Sequence, residues 1–90
     1  MLKNKINFYA NLLKALGNDR RLEILYQLYD KECNVGELEK KVKLSQSALS
    51  QHLAVLRKEE IVKTRRVAQT IYYSIKDLRT KAILDLLKNF

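Results

Sequence analysis

Short polar side chains occupy one face of a predicted helix near the middle of the chain. In the segment Leu44-Ser45-Gln46-Ser47-Ala48-Leu49-Ser50-Gln51-His52-Leu53-Ala54-Val55-Leu56-Arg57, a rotation of 100° per residue places Leu49, Leu53 and Leu56 in one narrow apolar arc. The opposite arc holds Ser47, Ser50, Gln51, Ala54 and Lys58. Small hydroxyl and amide groups can hydrogen-bond base edges in a DNA groove, where acidic groups would meet phosphate. The pattern predicts a base-reading face, and the alternative is a helix that is only solvated.

Positive charge is concentrated around this helix. The protein has 90 residues and a net charge of +8, and residues 40–66 carry eight basic and two acidic side chains. The remaining residues therefore contribute only +2. Charge concentrated beside a groove-sized helix is typical of a protein that binds a polyanion. A membrane surface fits less well, because no helix pairs a basic face with a broad exposed apolar face.

Length and composition predict one small domain spanning residues 1–90. The hydrophobic content of 47% is enough for one modest core, and the absence of proline with only two glycines favours helices joined by short connections. No apolar run near 18 residues and no apolar signal-peptide core follow Met1, so we expect a cytoplasmic protein without a membrane partner. One cysteine excludes an intrachain disulfide and a Cys-only metal site within one chain.

The periodicity of apolar residues predicts a helix-turn-helix followed by a hairpin and a closing helix. Gly17 is expected to end the first helix, Asn18 to begin the second and Ser45 to begin the polar helix. The hairpin tip near Ala68-Gln69 lacks the Asn-Gly or Asp-Gly of a tight turn. The predicted fold is mostly α with a small β-hairpin, a winged helix-turn-helix of five helices and two strands. Its predicted elements are helices at 3–16, 19–29 and 35–42, the polar helix after Ser45, strands at 61–67 and 70–75, and a last helix at 77–89.

The first and last helices carry more apolar side chains than one small core needs. On the first helix, Ile6, Tyr9, Leu13 and Leu16 form one stripe, with further apolar residues beside it. We therefore expect both helices to pair across a two-fold axis in a homodimer, and the alternative is that they cap the core of a monomer. The predicted interface residues are Phe8, Tyr9, Leu12, Leu78, Ala82, Leu86 and Phe90.

Three motifs together resemble the ArsR/SmtB family of bacterial repressors. Ala15-Leu16-Gly17-Asn18-Asp19-Arg20-Arg21-Leu22-Glu23-Ile24-Leu25 resembles the family's opening signature, residues 44–53 its recognition helix, and Thr64-Arg65-Arg66 with residues 69–73 its wing. The resemblance covers nearly the whole chain and is closest to the HlyU/BigR-like subgroup, which senses thiol state rather than metal. It implies a homodimer on a near-palindromic operator in double-stranded DNA, with recognition helices in major grooves about 34 Å apart.

The chain departs from the family's known sensory sites. The Cys-x-Cys pair of the metal-sensing members corresponds to Asn34 and Gly36, and the only histidine is His52. We therefore expect no metal and no other cofactor. The redox-sensing members use a second cysteine near the C-terminus, which this chain lacks. Cys33 is then either a candidate redox residue, with Lys31 favouring the thiolate, or an inert half-buried thiol.

The predicted DNA contacts fall into three groups by position. His52 is expected to pack at the helix edge rather than read a base, and Tyr72 and Tyr73 to belong to the sheet and core rather than stack on bases. The base readers are Gln46, Ser47, Ser50 and Gln51, the phosphate contacts Lys41, Lys43, Arg57 and Lys58, and the wing contacts Arg65, Arg66, Gln69 and Thr70.

These features predict a sequence-specific DNA-binding transcriptional regulator, acting as a repressor or an anti-repressor. An enzyme is not expected, because the sequence contains no paired carboxylates, phosphate-binding loop or His-supported nucleophile. No feature points to a small-molecule ligand. The alternative is a winged helix used for protein–protein contact or for non-specific coating of nucleic acid.

Overall fold

The computed structural model describes the backbone of residues 2–90 and the side chains from Lys5 onward. No helix in that range is long and apolar enough to cross a membrane. The elements in chain order are α1 (Leu2–Leu16), α2 (Asp19–Asp30), β1 (Cys33–Asn34), α3 (Val35–Val42), α4 (Gln46–Lys58), β2 (Val62–Val67), β3 (Thr70–Ile75) and α5 (Leu78–Lys88).

Side-chain caps fix the starts of four helices. Asn18 and Ser45 cap α2 and α4 as predicted, each accepting a backbone N–H at 3.1 Å. Asp77, predicted as the first residue of the last helix, instead precedes α5 as its cap. At α3 the sequence interpretation missed a capping box, in which the Asn34 side chain and the Glu37 side chain each accept the other residue's backbone N–H at 2.8 and 2.9 Å.

The sheet has three antiparallel strands in the order β1-β3-β2, where two strands were predicted. The extra strand, β1, pairs Cys33 with Tyr73 and Asn34 with Tyr72. A two-residue strand has no alternation from which to recognise it, so its existence depends on β3 lying alongside. The predicted hairpin is confirmed, and at its tip Ala68 takes a φ of 55°, a conformation that favours glycine or asparagine.

One hydrophobic core holds α4 against the rest of the molecule. The predicted arc of Leu49, Leu53 and Leu56 is confirmed, with each side chain at most 2% exposed. Burial of such side chains supplies about 1.5–3 kcal/mol each. The remaining core side chains are Leu12, Ala15, Leu16, Ile24, Leu25, Leu28, Cys33, Leu38, Val42, Ile61, Val62 and Leu84.

The terminal helices α1 and α5 each bury one side against the core and leave further apolar side chains exposed. On α1, Ile6 and Leu13 of the predicted stripe are 54% and 57% exposed, whereas Leu12, assigned to the dimer interface, is in the core. On α5, the buried side chains are Thr80 and Leu84. Both helices have apolar residues around much of their circumference, so periodicity alone could not show which side faces the core.

Together, α3, the turn and α4 form the helix-turn-helix, and β2 with β3 forms the wing. Lys43 closes α3 in the left-handed conformation, at φ 54°, and its backbone N–H donates to Glu39 O at 3.3 Å. The chain is thereby reversed within a few residues, and α4 follows with its polar face turned away from the core. The predicted winged helix-turn-helix is confirmed.

Candidate nucleic-acid interface

The exposed face of α4 presents the four predicted base readers together. Gln46, Ser47, Ser50 and Gln51 are all exposed, while the leucines on the other side of the helix are buried. The helix is therefore held by its apolar arc, and its hydroxyl and amide groups are free to meet a ligand. Such an arrangement can hydrogen-bond the edges of base pairs in a major groove.

Basic side chains flank this face at both ends of α4. Lys41 and Lys43 lie at the end of α3 and in the turn, and Arg57 and Lys58 lie in the last turn of α4. All four are exposed, and none of them takes part in an ion pair within residues 5–90. They place a pair of positive charges at each end of α4, suited to phosphate.

Arg65 on the wing is held by neighbours that the sequence did not reveal. Its Nε lies 3.2 Å from Oε2 of Glu32, its Nη2 donates to the other carboxylate oxygen, and its Cζ lies 5.1 Å from the centre of the Tyr72 ring. The hydrogen bond from Arg65 lowers the pKa of the Glu32 carboxyl, and the same contact raises the pKa of Arg65. The wing cation predicted to meet DNA is thus already partnered.

The rest of the predicted wing surface remains open. Arg66, Gln69 and Thr70 are exposed, and Arg66 makes no ion pair in the part of the chain with described side chains. Arg66 is therefore the wing's free cation nearest to Arg65 in sequence. A second basic position, Lys63, lies on the same strand and is also exposed.

A cleft of about 390 Å³ separates α4 from the sheet. Apolar side chains line part of this cleft, and α4 adds one hydroxyl group, from Ser50, and two cations, Arg57 and Lys58. A second open cleft of similar size lies between the N-terminus of α3 and the wing, where Gln69 and Thr70 line it. The first cleft is lined by Val35, Ser50, Leu53, Ala54, Arg57, Lys58 and Tyr73.

Tyr72, Tyr73 and His52 are packed against neighbouring side chains, as predicted. Tyr73 packs against the core, and Tyr72 lies beneath the Arg65 guanidinium. His52 is partly buried at the edge of α4, with its Nδ1 3.3 Å from Nη1 of Arg21. None of the three stands free as a platform for a base.

Cys33 differs from the expected half-buried thiol, since none of its surface is exposed. Its Sγ lies 3.8 Å from the Gln27 carbonyl oxygen and 3.7 Å from that of Lys31. Burial raises the pKa of the thiol, and the charges of Lys41 and Lys31 reduce that increase without cancelling it. Lys31 does favour the thiolate, as expected, but desolvation is the larger effect and the net pKa of the thiol is raised.

We expect Cys33 to resist alkylation in the folded protein. Reaction requires both a local opening that exposes Sγ and loss of its proton, so iodoacetamide at pH 8 should label it roughly 100-fold more slowly than in denaturant. Mass spectrometry of timed aliquots measures both rates. Equal rates in the folded and the unfolded protein would contradict the burial.

An apolar patch on α1 and α5 is left uncovered by the core. Phe8 is 51% exposed, Leu78 81%, Leu86 58% and Phe90 97%, and Ala82 is exposed as well. Of the other predicted interface residues, Tyr9 is partly buried and Leu12 belongs to the core. Further exposed apolar side chains that the prediction omitted are Ile6 and Leu13 on α1 and Leu87 on α5.

The described residues contain no group of three or more His, Cys, Asp or Glu side chains that could hold a metal ion. Asp77, one of the acidic residues near the last helix, instead caps α5 and accepts from Arg79 at 2.9 Å. Asp85 accepts a hydrogen bond from the Tyr29 hydroxyl. The Asp77 carboxylate thus fixes the start of α5, and the Asp85 carboxylate joins α5 to α2.

Comparison with known proteins agrees with this architecture. The chain is 54% identical over 76 residues to the transcriptional activator HlyU of Vibrio cholerae, which covers 84% of this chain and 70% of that protein. The solved structure of HlyU matches with a TM-score of 0.90 at 49% identity, over 99% of this chain and 96% of that one.

Two more distant solved structures have the same fold. The transcriptional repressor BigR from Xylella fastidiosa matches with a TM-score of 0.89 at 36% identity, over 98% of this chain and 90% of that one. A homodimeric winged helix-turn-helix DNA-binding domain from Mycobacterium bovis, a possible ArsR-family regulator, matches at 0.86 and 27% identity, over 96% and 80%. HlyU and BigR are transcriptional regulators, and the prediction that the chain is not an enzyme is confirmed.

The match to a protein family covers the segment in which the sequence motifs lie. Residues 18–64, from the cap of α2 to the middle of β2, match the family described as "Bacterial regulatory protein, arsR family". With the helix-turn-helix, the wing and the relatives in agreement, the chain belongs to the arsR family of bacterial regulatory proteins.

Proposed function

We propose that this protein is a sequence-specific transcriptional regulator that binds a near-palindromic operator in double-stranded DNA as a homodimer. The observation that carries the proposal is the exposed polar face of α4 between two pairs of free cations. Gln46, Ser47, Ser50 and Gln51 read base edges, and Lys41, Lys43, Arg57 and Lys58 contact phosphates. Residues 1–90 act as one DNA-binding domain, in the cytoplasm where bacterial DNA lies.

The wing makes the third set of contacts. Arg66, Gln69 and Thr70 meet phosphates or the minor groove beside the sequence read by α4. Arg65 joins them when a phosphate displaces the Glu32 carboxylate from its guanidinium. Because the ion pair is exposed, phosphate can compete with the carboxylate for the guanidinium.

A homodimer follows from the uncovered apolar patch on α1 and α5. Large apolar side chains left exposed in such number are typical of an interaction site. A two-fold pair of these helices places two copies of α4 in successive major grooves about 34 Å apart. The homodimeric assembly of the related domain from Mycobacterium bovis supports this arrangement.

The regulator acts by occupying its operator. A dimer across two major grooves covers one stretch of DNA. If it excludes RNA polymerase from that stretch, the protein is a repressor. If it excludes a different repressor, the protein is an anti-repressor. Both outcomes occur with one mode of binding. This agrees with relatives named as an activator in one case and a repressor in another.

Replacing Gln51 by alanine tests the assignment of the reading face. Selection of duplexes from a random-sequence pool by the wild-type protein should give a two-fold symmetric consensus. With Gln51→Ala, we expect the preference to relax at one base pair of each half-site, by about 1–3 kcal/mol of discrimination. Sequencing of the selected pools measures the preference at every position.

The matched contrast is Arg66→Ala on the wing. Loss of a phosphate contact should weaken binding to all sequences similarly and reduce the slope of log affinity against log salt by about 1 per protomer. If Gln51→Ala and Arg66→Ala lose the same affinity on every duplex, the reading face is assigned wrongly. If the wild-type protein selects no consensus, it coats nucleic acid without reading it.

A further inference from the structure

The guanidinium of Arg21 completes the hydrogen bonding at the C-terminal end of α1. The last four carbonyl groups of a helix have no partner within the helix. Backbone amides just beyond α1 satisfy Leu13 and Leu16, each at 2.8 Å. Arg21 satisfies the other two, because its Nε donates to Ala15 O at 2.5 Å and its Nη2 to Lys14 O at 3.3 Å. The cation also lies at the negative end of the helix dipole.

The third nitrogen of the same guanidinium contacts the recognition helix. Nη1 of Arg21 lies 3.3 Å from Nδ1 of His52 on α4. A guanidinium has no acceptor, so a hydrogen bond in this pair runs from Nη1 of Arg21 to Nδ1 of His52. One side chain of α2 thereby joins the end of α1 to the middle of α4.

The two helices do not close on each other beside this link. A cavity of about 160 Å³ remains there, lined by Asn11, Lys14 and Ala15 of α1, by Val55 and Glu59 of α4, and by Arg21. A gap of that size offers little packing to fix the angle between α1 and α4. The polar bridge through Arg21 and His52 is therefore well placed to set it.

We propose that Arg21, acting through His52, is a positioning residue that fixes the recognition helix relative to the dimer helix α1. The inference rests on the proposed function, since α1 must lie at the dimer interface and α4 must read DNA. The distance between two recognition helices in a dimer depends on how each is attached to the interface. The Arg21–His52 bridge makes that attachment rigid and thereby sets the tolerated spacing of half-sites.

Four variants distinguish the effect of losing the Arg21–His52 bridge from the effects of losing a positive charge or the cap of α1. Arg21→Met breaks both the bridge and the cap of α1, whereas His52→Leu breaks the bridge and leaves the cap. His52→Asn retains an acceptor atom at the position of Nδ1, with a similar helix propensity. Arg20→Met removes the same charge one residue away, from a side chain that pairs with Glu23 inside its own helix.

The probes are the consensus duplex selected by the wild-type protein, a scrambled duplex of the same composition, and the consensus with one base pair inserted between half-sites. We expect Arg21→Met and His52→Leu each to reduce the ratio of consensus to scrambled affinity roughly tenfold. The double variant should lose no more than either single variant. His52→Asn and Arg20→Met should keep the wild-type ratio.

The inserted base pair gives a readout that a general loss of stability would not change. It should weaken wild-type binding strongly and the Arg21→Met and His52→Leu variants much less, because their recognition helices are no longer held at one spacing. The proposal is overturned if the two losses multiply in the double variant, if His52→Asn is as impaired as His52→Leu, or if all proteins show the same insertion penalty. A wild-type protein that selects no two-fold consensus would instead overturn the proposed function on which the inference rests.

Discussion

Replacing Leu49 by alanine should lower the free energy of unfolding by about 3–5 kcal/mol. Leu49 is fully buried on the inner side of α4, so truncation removes apolar contacts and leaves a cavity. A domain of this size is stabilised by about 5–15 kcal/mol in total, so the variant should lose a large fraction of its stability and be partly unfolded on mild heating. Urea unfolding followed by circular dichroism measures the change.

Val55→Ala is the control for Leu49→Ala, because it truncates a side chain of the same helix that is 38% exposed. We expect Val55→Ala to cost less than about 1 kcal/mol. The contrast matters for function as well as for stability, since the polar face of α4 is ordered only while its inner arc is packed. Equal losses for the two variants would mean that α4 is not anchored by its leucines.

Placing a glutamate at Leu86 should convert the proposed dimer into a monomer. The side chain is 58% exposed in the uncovered patch, and a charge there would be buried without a partner on association. Affinity for a two-fold consensus should fall on the order of 100-fold, because one half-site then binds without the help of the other. Sedimentation gives the mass and fluorescence anisotropy gives the affinity.

Gln27→Glu on α2 adds the same single negative charge away from the patch, and we expect the wild-type mass and nearly wild-type affinity. A Leu86→Glu protein that remains dimeric would show that α5 does not form the interface. A monomer that keeps full affinity for the two-fold consensus would show that dimerisation does not contribute to binding. Both measurements are made at the same protein concentration, since dimer formation depends on it.

Helices and strands of this fold could be predicted where buried and exposed residues alternate with a regular period along the chain. Leu49, Leu53 and Leu56 recur at helical spacing, and the alternation of β3 is visible without knowledge of its neighbours. The caps at Asn18 and Ser45 likewise depend on contacts only three residues away. The helix-turn-helix, the wing and the polar face of α4 therefore follow from local pattern.

Features that depend on segments far apart in the chain could not be obtained this way. The strand β1 exists only because β3 pairs with it, and that pairing places Cys33 in the core, where burial governs its thiol. The burial of Leu12, which was assigned to the dimer interface, could not be predicted either, because apolar residues lie around much of α1.

The candidate site likewise has features that the sequence predicts and features that only the tertiary structure shows. Residue type and charge by themselves determined which face of α4 is polar and that the cations cluster around it, since these depend on helical geometry and composition. Only the tertiary structure decided that Arg65 is paired with Glu32 and that Arg21 joins α1 to His52. Arg65 and Glu32 are 33 positions apart in the sequence, and Arg21 and His52 are 31 apart. The spacing of residues along the chain does not encode the distance between two separate elements, because that distance is set only when the core packs them together.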